Sequence, residues 1–183
     1  MKPKNILLGL TGSISVSNIM PYIASIQNSL SCRMHIMMTP SAQTFIPAST
    51  LIHSIDGQVF VDLSEKGNFK MPHVELTHWA DLILILPASA NTLAKTAQGF
   101  AQDIVSATVL AAEAPTLFFP SMYQGMWQKK SVQRNVEILR EDGFVVYSPN
   151  VEKLTNSEFP FVAGGSLPTP NEACRFISEY MKH

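Results

Sequence analysis

The sequence predicts a doubly wound α/β domain built on a parallel sheet. Apolar runs of strand length recur along the chain and are continuous rather than alternating, as strands covered on both faces require. Stretches of helical length separate them, the pattern of successive βαβ units. Where the strand runs end, the chain turns to small or hydroxyl-bearing residues, at the edge of such a sheet where ligands bind.

The first run is NILLGL (5–10). Its apolar stretch of about six residues is interrupted by Thr11, Gly12 and Ser13, too short for a signal-peptide core or a membrane span, so it reads as a first strand. A helix is expected over 13–30, a strand at RMHIMMT (33–39) and a helix over 41–54. SEKGNFKMPH (64–73) reads as an irregular connection to ADLILIL (80–86), the most apolar strand of the chain. Helices follow over 90–99 and 103–113, then the strand TLFF (116–119) and a helix over 130–141. That helix ends at EDGF, with Gly143 where a C-terminus favours a left-handed residue. FVVYS (144–148) closes the strand set, and a last helix is expected over 170–182, opened by Pro170. Between them, 149–169 mixes Gly, Pro and two Phe and is expected to be a functional loop, a clamp over substrate. No repeat divides the chain, and residues 1–183 are read as a single domain.

Charged residues make up 15% of the chain against a typical ~25%. So few charges suggest that part of the surface is covered by other subunits. The net charge of −1 and the lack of any basic run longer than Lys129-Lys130 argue against nucleic acid and anionic membrane as partners. Cys32 and Cys174 are far apart in sequence, without CxxC or metal-ligand spacing, which points to a reduced, cytoplasmic protein with no metal.

The strand ends carry the chemistry. GLTGSIS (9–15) places Gly12 for close backbone approach and Ser13 at a helix start, where a hydroxyl and free N–H groups suit an anion. The spacing is neither GxGxxG nor a Walker A loop, so one phosphate is a more natural guest than a dinucleotide or a nucleoside triphosphate. A Gly-Ser turn also serves purely structural ends. TPSAQTF (39–45) adds Thr39, Ser41, Thr44 and Phe45, though Ser41 could simply cap a helix and Phe45 could be core. PASANT (87–92) follows the third strand run, ADLILIL, with nothing large and nothing charged. A helix cap needs one small polar residue, not six, and a planar ring lying along the backbone would account for the run. Of the five histidines, His73, read as lying on the loop before ADLILIL, is the best placed to reach strand ends, and an imidazole suits proton transfer.

GLTGSIS, HVELTHWAD, PASANT followed by AQGFAQDIV, and PSMYQGMW occur in an order that resembles the homo-oligomeric flavin-containing cysteine decarboxylases. The resemblance runs from about residue 5 to 149, and it implies a Rossmann-like or flavodoxin-like flavoprotein fold. It also implies FMN (or FAD) held between subunits of a homotrimer, four of which can form a homododecamer. On the matching positions the flavin would meet Gly12, Ser13, Ile14, Ser41, Phe45, Ser89, Ala90, Asn91, Thr92 and Ser121, with Gly99 in the turn beside it. The family's base falls on His73, and substrate would meet Tyr123 and Met126.

Members that act on phosphopantothenoylcysteine in coenzyme A biosynthesis carry a Cys- and Arg-bearing motif near the C-terminus. Here the corresponding stretch is SEFPFVAGGSLPTP, with neither residue. The chain therefore looks most like the lantibiotic enzymes, which take a precursor peptide with a C-terminal Cys. The implied reaction is oxidative decarboxylation to an enethiol, in aminovinyl-cysteine formation. Loss of CO2 from an ordinary amino acid leaves an unstabilised carbanion, so the flavin is needed as an oxidant. The chain departs from the family at Tyr123, where an Asn thought to bind the peptide carboxylate is usual. Other readings are a flavin prenyltransferase, disfavoured by the few Arg, and a non-catalytic flavin-binding subunit.

Overall fold

The computed structural model describes residues 5–64, 68–148 and 167–182. Six strands form one all-parallel sheet in the order β3-β2-β1-β4-β5-β6. They are β1 (Asn5–Leu10), β2 (Arg33–Met38), β3 (Val59–Phe60), β4 (Leu82–Ala88), β5 (Thr116–Pro120) and β6 (Val145–Val146). The order reverses between β1 and β4, which makes the space beyond their carboxyl ends the topological switch point.

Helices α1 (Met20–Leu30), α2 (Pro40–Gln43), α3 (Ala48–Leu51) and α9 (Pro170–Tyr180) cover one face. There Ile23, Ile26 and Ile177 pack on Leu8, Ile36 and Leu84. Helices α4 (Pro72–Trp79), α5 (Ala90–Ala97), α6 (Ile104–Ala111) and α8 (Lys130–Glu141) cover the other, packing Leu76, Leu93, Val105 and Val136 on Leu7, Ile83, Ile85 and Phe118. Successive residues of β4 thus serve opposite cores, which is why ADLILIL shows no polar alternation. A four-residue helix α7 (Gln124–Trp127) follows β5.

Each expected strand is present, and so is the doubly wound fold class. Several boundaries differ for identifiable reasons. The helix expected over 13–30 is a 3-10 turn (Ile14–Asn18) followed by α1, because Pro21 in the first turn of α1 is tolerated there and not in mid-helix. The helix expected over 41–54 is likewise divided into α2 and α3, with Pro47 as the extended cap between them. β3 has two residues, too few to register as an apolar run. Residues 72 and 73, read as loop, begin α4, with Pro72 at a position that favours helix entry. Gly143 is left-handed, with φ +89°, as its sequence position required.

The clamp expected at 149–169 lies, apart from 167–169, outside the described residues. Where the chain re-enters, the Tyr22 hydroxyl donates to the Pro168 carbonyl at 2.7 Å, and Thr169 and Glu172 form a reciprocal cap on α9.

Candidate functional site

The carboxyl ends of β1, β4 and β5 are joined by hydroxyls. Thr11, fully buried, donates its Oγ1 proton to the Pro87 carbonyl at 2.7 Å and accepts from the Ser89 amide at 2.8 Å. The Ser121 amide donates to the Ala88 carbonyl, and its Oγ lies 2.9 Å from Ser13 Oγ and 2.7 Å from Ser15 Oγ. Those two bonds among three hydroxyls use two of the three protons, which leaves one O–H for an acceptor outside the trio. The Thr39 amide donates to the Leu10 carbonyl and brings β2 into the same edge.

Around these links lies a cleft of about 500 Å³, within the range of small-molecule sites. Gly12, Ser13, Ile14, Thr39, Ser41, Ser89, Ala90, Asn91, Thr92, Ser121, Tyr123 and Met126 all line it, so most of the positions singled out in the sequence converge there. The cleft has two characters. Its floor and one wall are neutral and polar, with Ser13, Thr39, Ser89, Thr92 and Ser121 all nearly buried. Its rim carries Ile14, Tyr123 and Met126, large apolar groups that are 62%, 53% and 46% exposed.

Local sequence explains the polar wall. Ser89 caps α5 by accepting from the Thr92 amide, which leaves the first-turn N–H groups of Ala90 and Asn91 without an intrahelical acceptor. Gly12 permits the close approach of the β1 turn to α2, since a Cβ there would lie 2.5 Å from Ser41 Cβ.

Two expected residues stand outside this cleft in their own chain. Phe45 is 41% exposed beyond α2 and does not line it. His73 also does not line it. α4 starts beyond the carboxyl end of β3 and finishes where the Trp79 carbonyl accepts from Asn5 at the start of β1. His73, in the first turn of α4, therefore sits on the same carboxyl edge as the cleft; its Nδ1 is buried without a hydrogen-bond partner among the described residues. Gly99, expected beside the site, instead borders a separate depression of about 190 Å³ with Phe100 and Leu110, and its φ is +70°. The turn reaches the main cleft only at Gln102 and Asp103.

Ser15, Lys95, Gln102, Asp103 and Met122 also line the cleft and had not been singled out. Lys95 follows Asn91 by one helical turn, a spacing that could have marked it. Its Nζ donates to Asp103 Oδ2 at 2.8 Å, while Asp103 Oδ1 accepts from the Ser106 amide and caps α6. Burial alone would raise the Asp103 pKa. Its hydrogen bonds to Lys95 and the Ser106 amide, with the charge of Lys95, outweigh that and hold it below the usual carboxylate value. Among the described residues that line the cleft, Lys95 is the one cation, and it is paired with Asp103.

Neither cysteine is poised for nucleophilic work. Burial pushes the Cys32 thiol up to about 11 and also raises Cys174. Among the described residues there is no cluster of three or more metal-ligating side chains and no helix long and apolar enough to cross a membrane.

A doubly wound sheet whose switch-point cleft offers neutral hydroxyls, helix-start amides and an apolar rim has the form of a small-molecule-binding α/β protein. The chain belongs to the flavoprotein family, whose model matches residues 1–181. Among its relatives, mersacidin decarboxylase of Bacillus sp. (strain HIL-Y85/54728) is 40% identical over 187 aligned positions, covering 100% of this chain and 93% of that protein. The solved structure of SpaF, described as an FMN-dependent cysteine decarboxylase, is 31% identical, with a TM-score of 0.81 and 97% of each chain covered. The coenzyme A biosynthesis bifunctional protein CoaBC of Mycobacterium tuberculosis (strain ATCC 25618 / H37Rv) is 33% identical over 93% of this chain but only 40% of its own length.

Asp103→Ala should destabilise the fold by about 2–4 kcal/mol, since it removes a helix cap and leaves the partly buried Lys95 without its partner. Because the folded-state pKa of Asp103 is lowered, its contribution is present above the ordinary carboxylate pKa and is lost as pH falls through the folded value. Denaturant unfolding at neutral and at acidic pH checks both points: the gap between wild type and variant should close at low pH.

Proposed function

We propose that this protein binds FMN in the switch-point cleft and catalyses the oxidative decarboxylation of a C-terminal cysteine of a precursor peptide to an enethiol, in lantibiotic biosynthesis. The observation that carries the reading is the two-sided cleft, together with full-length similarity to mersacidin decarboxylase. CoaBC is matched over less than half its length.

The residues present fit a flavin mononucleotide. Ser13, Ser41, Ser89, Asn91 and Thr92 would hold the phosphate and ribityl chain through hydroxyls, amides and the start of α5. Gly12 keeps the backbone close enough for them to converge. Ile14, Ala90 and the backbone at Ser121 would flank the ring, with Phe45 reaching it from another subunit. When bound, the flavin supplies two-electron oxidation of the cysteine side chain, so that the carboxylate stands β to a C=S group and CO2 can leave with its electrons delocalised onto sulfur.

His73 would accept a proton during that oxidation, most simply from the thiol. Its position outside its own cleft fits a homo-oligomer, trimer or dodecamer, in which His73 of one subunit serves the cleft of the next. Tyr123 would donate its hydroxyl to the peptide carboxylate and Met126 would pack on the peptide. Residues 149–169 would close over it. The low charge content, the two separate cysteines and the neutral thiols suit the cytoplasm.

Gly12→Ala should yield colourless protein, because the new methyl group collides with Ser41 on the cofactor side of the cleft. Retained flavin absorption after gel filtration would move the cofactor elsewhere. His73→Asn should keep the flavin and lower the decarboxylation rate by about 10²–10⁴-fold; loss of CO2 and two hydrogens from a Cys-terminal peptide, followed by mass spectrometry, is the readout. Tyr123→Phe removes one hydrogen bond to a charged group, worth about 1.5–3 kcal/mol, so kcat/KM should fall at least about tenfold. A yellow wild-type protein that converts no Cys-terminal peptide would favour a non-catalytic flavin-binding role.

A further inference from the structure

Tyr123 is held by its backbone and free at its tip. Its carbonyl accepts from the amides of Met126 and Trp127, at 2.8 and 3.1 Å, and so begins α7. Trp127 is buried, which fixes that short helix against the β5 side of the sheet. The phenol hydroxyl, by contrast, has no hydrogen-bond partner among the described residues. What then sets the direction of the ring is the neighbour two residues on. A Cβ built on Gly125 would meet Tyr123 Cε1 at 2.8 Å, Cδ1 at 3.3 Å and Cζ at 3.8 Å, and these are its three nearest contacts. The ring lies directly over the Gly125 Cα, in space that any other residue would occupy.

We infer that Gly125 is a specificity-determining positioning residue: by lacking a side chain it seats the Tyr123 ring against α7 and so sets the shape of the cleft wall that the peptide terminus meets. This rests on the peptide-decarboxylase reading above. Tyr123 lines the cleft and Gly125 does not, so a ring displaced from Gly125 reshapes the wall without any new group entering the site. Gly125 has no left-handed φ, so alanine is conformationally acceptable there and is the better helix former. The exposed ring can yield to the methyl group, and the methyl group therefore moves the ring and not the fold.

The pair explains how the chain accommodates an aromatic residue in this loop. A bulky side chain at 123 needs a hollow at 125, and the two positions act as one unit. Their effects on peptide binding must be non-additive, since Gly125 acts only through the ring.

The test is a double-mutant cycle on the flavin-loaded protein, with Gly125→Ala, Tyr123→Asn and the double variant. Three quantities are measured for a short Cys-terminal peptide: KM, kcat and the dissociation constant from fluorescence anisotropy of the labelled peptide. Gly125→Ala should raise KM and the dissociation constant at least about fivefold, with kcat within about twofold and with flavin content and thermal midpoint unchanged. In the Tyr123→Asn background the same alanine should have no effect, because the side chain it collides with is gone. Wild-type binding in Gly125→Ala would overturn the inference. So would an equal loss in both backgrounds, which would make the effect one of backbone alone, and so would a fall in flavin content or thermal midpoint. If wild type neither binds nor converts any Cys-terminal peptide, the functional reading fails first and this inference with it, a result distinct from turnover that is indifferent to residue 125.

Discussion

One buried hydroxyl holds the working edge of this protein together. Thr11 Oγ1 gives its proton to the Pro87 carbonyl and takes one from the Ser89 amide, and so it spans the point where strand order reverses. Without that bridge, two backbone groups at the carboxyl end of β4, the Pro87 carbonyl and the Ser89 amide, would lose their partner, at a cost of about 1–3 kcal/mol each. The bridge also orients Ser89, whose side chain begins α5 and whose placement decides where the first amides of that helix point. Ser121 extends the same stitching to β5. Fold stability and cleft shape are therefore coupled: Thr11 lies behind the cleft, while Ser13, Ser15, Ser89 and Ser121, which it and its neighbours tie together, line it.

The sheet was legible because both its faces are covered. Residues of β4 alternate between two cores, and the resulting unbroken apolar run could be read without knowledge of what lies on either side. The hydroxyl-rich strand ends were legible for the opposite reason, since small polar residues in that density have no core role. The breaks at Pro21 and Pro47 were visible in principle, for each proline marks where a helix must restart. β3 could not be read: two residues paired with Ile36 and Met37 leave no periodic signature.

The site was read less completely than the fold. Gly12, Ser89 and Asn91 follow from motif position, but Ser15 and Asp103 reach the cleft through tertiary geometry that spacing along the chain does not encode. His73 shows the limit most clearly. Sequence position brought it to the correct edge of the sheet, while its element, its buried Nδ1 and its separation from the cleft of its own chain emerge only in three dimensions.

The pairing of Lys95 with Asp103 has a consequence for how the cofactor is retained. Among the described residues that line the cleft, it is the only cation, and its charge is cancelled within the protein. A phosphate dianion seated here would meet, among these residues, hydroxyl and amide dipoles and not an unpaired counter-charge. Screening by salt acts on interactions between net charges, so added electrolyte has little to weaken. Retention of an anion in this cleft would therefore depend less on ionic strength than binding by unpaired surface cations would, because the dipoles are fixed in advance by the fold.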